Sequence, residues 1–94
     1  MTVTLLGITY NNLGCYYKKR NKPNVALKYL EQALNIEMET EPDNINVAGT
    51  HLNLCAILSQ VRKHGRALHH AKEALKLLLA GQGEDQPSTN LATT

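Results

Sequence analysis

Tyr10-Asn11-Asn12-Leu13-Gly14-Cys15-Tyr16-Tyr17 comes back, altered, 41 residues later. Thr9 falls on Thr50, Asn12 on Asn53 and Leu13 on Leu54. Downstream, Ala26 falls on Ala67, Leu27 on Leu68, Ala33 on Ala74 and Leu34 on Leu75. Gly14 meets Cys55, and Tyr17 meets Leu58. Self-similarity at a period of a few tens of residues marks supersecondary units stacked in a row. Within each unit a small residue stands three or four positions from large apolar ones, an alternation that lets two antiparallel helices interlock. The fold class that follows is all-α: two stacked antiparallel helical hairpins, a four-helix solenoid fragment, with a polar C-terminal tail. The helical domain is expected over residues 1–80, with one unit at about 4–40, the other at about 45–80, and the tail at 81–94.

Local signals divide the chain into its helices. Leu6, Tyr10, Leu13, Gly14 and Tyr17 follow 3–4 spacing and predict a helix from about Thr4 to Arg20. Pro23 suits the first position of the next helix, where no amide donor is needed. That helix is predicted to about Glu39, burying Ala26, Leu27, Leu30, Ala33, Leu34 and, near its end, Met38. Pro42 forbids continuation, and Asp43 or Asn44 is placed to cap a third helix running from about Ile45 to Lys63. Its apolar positions are Val47, Leu54, Ile57, Leu58 and Val61. A fourth helix, about Gly65 to Ala80, is expected to bury Ala67, Leu68, Ala71, Ala74, Leu75 and Leu78, with Gly81 and Gly83 ending it. The polar stretch from Gln82 to Thr94 reads as a disordered tail.

The first unit resembles the tetratricopeptide repeat: Tyr10, then Leu13-Gly14, then Tyr17, Ala26, Leu30 and Ala33. The second fits with His51 for the first large residue, Cys55 for the glycine and Ala71 for the large residue of the second helix. Met38 and Leu79 stand where a proline usually closes the unit. The period of 41 exceeds the family's usual 34 or so because the Glu41-Pro42-Asp43-Asn44 turn is longer. That length, with Asn11-Asn12-Leu13 in the first helix, is similar to the long-period, kinesin-light-chain-like type, in two repeats. The resemblance implies a cytoplasmic, cytoskeleton-associated scaffold whose first helices line a concave peptide groove.

On that basis the groove presents Ile8, Asn11, Asn12, Cys15, Lys18 and Lys19 from unit one. Unit two adds Gly49, Leu52, Asn53, Ala56, Ser59 and Gln60. Asn12 and Asn53 share one repeat position, and a carboxamide donates and accepts, so the pair suits the backbone of an extended peptide. In the resemblance such asparagines form a ladder along the groove. The plainer alternative has them bonding the adjoining helix and fixing its spacing. Asn11, Lys19, Leu52 and Ser59 complete the candidate peptide site. Lys18, Lys19, Arg20 and Lys22 crowd the end of the first helix, and Arg62, Lys63 and His64 the end of the third. They offset the helix dipole there, for about 0.3–1 kcal/mol each, and they also form a basic rim that favours an acidic peptide. Asn11 and Cys15 occupy the places where a carboxylate clamp of the chaperone-binding type needs lysine and asparagine. Glu37, Glu39 and Glu41 read as a solvated acidic face.

Other functions find little support. The chain has 94 residues, a formal net charge of +2 and two cysteines. This is one small domain with reduced thiols, too weakly basic to imply nucleic acid. No apolar run approaches the roughly 20 residues of a membrane span, and Met1–Gly7 lacks the flanks of a secretory signal. His69 and His70 point about 100° apart on a helix and cannot share an ion, so no metal or cofactor is expected. No phosphate loop, paired acids or nucleophile–base arrangement appears, so the chain is not read as an enzyme. The remaining problem is the uncovered end, Leu75-Lys76-Leu77-Leu78-Leu79. Each bare leucine forfeits roughly 1.5–3 kcal/mol. A second copy packing on Leu75, Leu78 and Leu79, or the Leu91-Ala92 part of the tail, would cover it, which makes a homo-oligomer the alternative to a peptide-binding adaptor.

Overall fold

The structure, a computed structural model, describes residues 3–85. Its elements are α1 (Val3–Lys19), α2 (Pro23–Thr40), α3 (Ile45–Gln60) and α4 (His64–Asp85), with no strand among the described residues. α1 and α2 form one antiparallel hairpin and α3 and α4 the next, joined by packing of α3 on α2. α3 packs on α4, on α2 and, to a small extent, on α1, and buries Val47, Ala48, Thr50, His51, Leu54, Ile57 and Leu58. Around it gather Ala26, Leu27 and Leu30 of α2 and Ala67 of α4, with Tyr17, Leu34 and Cys55 packed against them.

The two hairpin turns are copies of each other at the backbone level. After α1, Asn21 takes a left-handed φ of 62°; its N–H bonds the Lys18 carbonyl at 3.0 Å, and the Lys22 N–H bonds Tyr17 at 2.9 Å. After α3, Arg62 takes a φ of 70°; its N–H bonds Ser59 at 3.0 Å, and Lys63 bonds Leu58 at 2.7 Å. Both are Schellman closures, in which the last carbonyls of a helix are satisfied by a residue turned left-handed. Asparagine tolerates that conformation better than arginine does. Each turn ends in the same way, with Ala26 N–H to Lys22 and Ala67 N–H to Lys63, both at 3.0 Å. At the other junction Asn44 caps α3, its side chain accepting from the Asn46 N–H at 2.8 Å.

Gly14 is required by close approach. A Cβ there would stand 2.5 Å from Leu30 Cγ and 2.7 Å from Leu30 Cδ2. In the register of the second hairpin that facing pair becomes Cys55 and Ala71, so the larger side chain has moved to the other helix.

Several expectations need correction. α4 does not stop at Gly81; it continues through Gly83 to Asp85. Glycine weakens a helix interior by only about 1 kcal/mol, too little to end one by itself. α3 closes at Gln60, because Arg62 turns left-handed. Met38 is half exposed, and Leu68, Leu75 and Leu78, expected in the core, are exposed at 56%, 54% and 38%. These leucines lie on the outer face of α4, where no fifth helix stands among the described residues. The Leu91-Ala92 segment lies outside the described residues.

The 41-residue register also relates two ring clusters. Tyr29 stacks between Tyr10 (5.9 Å between centroids) and Tyr17 (5.6 Å). In the second hairpin Tyr10 becomes His51 and Tyr29 becomes His70, and their rings lie 5.1 Å apart with Nδ1···Nδ1 at 2.8 Å. One ring must donate and the other accept, so the bond survives one proton but not two. Burial lowers the pKa of both rings; His69 and, for His70, His51 and Arg66 add to the effect, while Glu73 (for His51) and Glu31 (for His70) oppose it. The unfolded chain then binds more protons than the folded one. Stability is accordingly complete above the ordinary histidine value of about 6.5 and declines as pH falls below it, toward the lowered folded values. The thermal midpoint, followed by circular dichroism, is expected to hold steady down to about pH 7 and to drop by about pH 5.5. The double substitution His51→Tyr, His70→Tyr, which restores the pairing of the first hairpin, removes most of that drop. An equal fall in the variant contradicts the assignment.

Candidate functional site

Where α1 and α3 run side by side they leave a depression of ≈ 500 Å³, to which the last turn of α2 adds Glu37. Ile8, Asn11, Asn12 and Cys15 of α1, Glu37 of α2, and Ile45, Asn46, Gly49 and Asn53 of α3 line it. Helix periodicity explains the set. Ile8, Asn11, Asn12 and Cys15 follow 3–4 spacing on one face of α1, as do Ile45, Asn46, Gly49 and Asn53 on α3. Gly49 would have no atom within 4 Å of an added Cβ, so the wall is open there.

A chain of side-chain hydrogen bonds ties the two helices across the floor. Asn11 Nδ2 donates to Thr50 Oγ1 at 2.7 Å, and Asn53 Nδ2 donates to Asn11 Oδ1 at 3.1 Å. Thr50 passes its own proton to the Asn46 carbonyl at 3.2 Å. Cys15 sits within the chain: its Sγ accepts from Asn53 Nδ2 at 3.5 Å and leans on Asn11 Oδ1 at 3.9 Å. Asn11, rather than Asn12, is thus the partner of Asn53. Asn12 is exposed on the rim with its carboxamide open to solvent.

Glu37 is the residue that sequence reasoning missed. Instead of standing on a solvated face, its carboxyl reaches into the depression, where Oε1 is buried with no hydrogen-bond partner. Burial pushes its pKa up from the ordinary value, and the neighbouring Thr50 hydroxyl offsets part of that. That hydroxyl has a single proton, which the Asn46 carbonyl also accepts. One signal was present: Glu37 lies seven residues beyond Leu30 and four beyond Ala33, on the buried stripe of α2, and its counterpart one period later is Leu78.

Of the other candidates, Lys19, Leu52 and Ser59 are exposed and do not line the depression; Leu52 is 48% exposed. Lys18, Arg20 and Lys22 are exposed beyond the Cys15 end, with Arg20 over the Tyr16 ring at 5.8 Å. Leu75, Leu78 and Leu79 are exposed on α4. Among the described residues no three His, Cys, Asp or Glu side chains converge as a metal site, and no helix is long and apolar enough to cross a membrane. Both cysteines are free thiols.

Compared with known proteins, the chain matches no curated protein and no solved structure significantly. The hairpin that supplies one wall of the depression and Glu37 does match a family: residues 7–37 fit the model of the tetratricopeptide repeat, a repeat class that generally mediates protein–protein interaction.

Proposed function

We propose that this chain is a protein–protein interaction module that holds an extended peptide segment in the depression between α1 and α3. The observation that carries the reading is the open carboxamide of Asn12 in the same depression as Asn53, whose carbonyl oxygen has no partner within the described residues. An extended chain presents alternating N–H and C=O groups that need partners when buried, and such groups supply them without reading side chains. Ile8 and Ile45 offer apolar contact beside them. By resemblance to the kinesin-light-chain-like type, the two hairpins are read as two repeats and the role as a cytoplasmic, cytoskeleton-associated adaptor. Acidic residues of a bound segment would find Lys18 and Lys19 at the end of α1.

Each backbone bond to a carboxamide contributes about 0.5–1.5 kcal/mol. Asn12→Ala is expected to weaken binding of peptides selected from a random capped library by roughly three- to tenfold. Adding Asn53→Ala abolishes measurable capture, while circular dichroism stays helical. Undiminished binding by the helical double variant rules the groove out.

A second reading is self-association through the outer face of α4. Leu68, Leu75 and Leu79 are spaced seven and four residues apart, each more than half exposed, with Leu78 beside them at 38%. Sedimentation velocity then shows a dimer that grows with concentration and is lost on Leu75→Glu. A monomer at every concentration rejects it.

A further inference from the structure

The polar groups of the depression are unevenly committed. Both N–H donors of Asn53 are taken, by Asn11 Oδ1 at 3.1 Å and Cys15 Sγ at 3.5 Å, so Asn53 offers a ligand only its carbonyl oxygen. Asn11 has its oxygen and one N–H engaged within the fold. Glu37 brings two carboxylate oxygens, one of them buried and unpartnered. Apart from Asn12, what faces a ligand is therefore rich in acceptors and carries negative charge. The nearby N-terminus of α3 favours an acidic neighbour through its dipole, yet its Asn46 N–H is already bonded to Asn44, and the one hydroxyl beside Glu37, that of Thr50, is shared with the Asn46 carbonyl. A carboxylate with one buried, unpartnered oxygen is under-bonded, and a cationic N–H donor meeting the carboxylate from the depression would offset part of that cost.

We propose that the depression is a pocket for the cationic head of a lysine or arginine side chain on the bound segment, with Glu37 as counter-charge and Asn53 Oδ1 as second acceptor. The aliphatic stem lies along Ile8 and Ile45, as such stems do on apolar walls. The cation's N–H groups meet the Glu37 carboxylate in charge-assisted bonds, stronger than neutral ones. A lysine or arginine at this place sets the register of the segment, while the carboxamides hold backbone of any sequence. This assignment rests on the peptide-groove reading and narrows it to a residue class at one position.

The test uses the full chain against a bead library of random capped decapeptides at neutral pH and low salt. Lysine or arginine is expected to be enriched at one fixed position. The chosen peptide should bind about tenfold more tightly than its norleucine counterpart. Glu37→Gln, which keeps the shape and removes the charge, should erase that difference while still binding the norleucine peptide. Capture of no peptide at all overturns the groove reading and this assignment with it. Captured peptides with only acidic or apolar residues at every fixed position overturn the Glu37 assignment alone, as does an undiminished lysine preference in Glu37→Gln. The wild-type selection profile decides the matter by itself if that variant does not fold.

Discussion

The bond from Asn53 to Asn11, continued to Thr50, is the constraint on which the site depends. It crosses from α3 to α1, helices that otherwise touch little, and it fixes how far apart the walls of the depression stand. It also decides which polar groups remain open. An amide that holds its neighbour has fewer donors left for a ligand, so Asn53 becomes an acceptor and Asn12 keeps both capacities. Of the two asparagines at the repeated position, Asn53 holds the neighbouring helix and Asn12 leaves its carboxamide open to solvent.

Around that network the two hairpins follow one plan with exchanged parts. The turns keep their hydrogen bonds at an offset of 41 residues, down to the left-handed residue. The side chains do not keep identity, and the larger member of a facing pair can change helices. Gly14 against Leu30 becomes Cys55 against Ala71. A tyrosine stack becomes a hydrogen-bonded histidine pair. Cores tolerate such trades when the apolar pattern is conserved, but the histidine version brings a pair of ionisable rings, their pKa values lowered by burial, into that place.

The helices and their pairing were legible in the sequence because 3–4 spacing, Pro23, Pro42 and Asn44 all act locally. The family match over residues 7–37 falls on the unit whose Tyr10, Leu13-Gly14 and Tyr17 carry the resemblance. Less legible was whatever depends on a neighbour. The end of α4 was misplaced because Gly81 and Gly83 are weak breakers when no proline or left-handed residue accompanies them. Leu68 and Leu75 fit a buried stripe, but the helix that would bury them is absent from the described residues. His51 and His70 are nineteen residues apart, and only the period, applied to Tyr29, brings them together. Glu37 looked like one of three solvated acids, since sequence gives no distance from the tip of α2 to the wall of α3.

Solvent exchange of the side-chain carboxamide protons of Asn11, Asn12 and Asn53, resolved by nuclear magnetic resonance, tests the central network most directly. Both Asn53 protons and one of Asn11 should exchange slowly, and both Asn12 protons as fast as those of a free asparagine. If the Asn53 protons exchange as fast as those of Asn12, α1 and α3 are not tied in this way, and the division of the groove into committed and open amides is wrong.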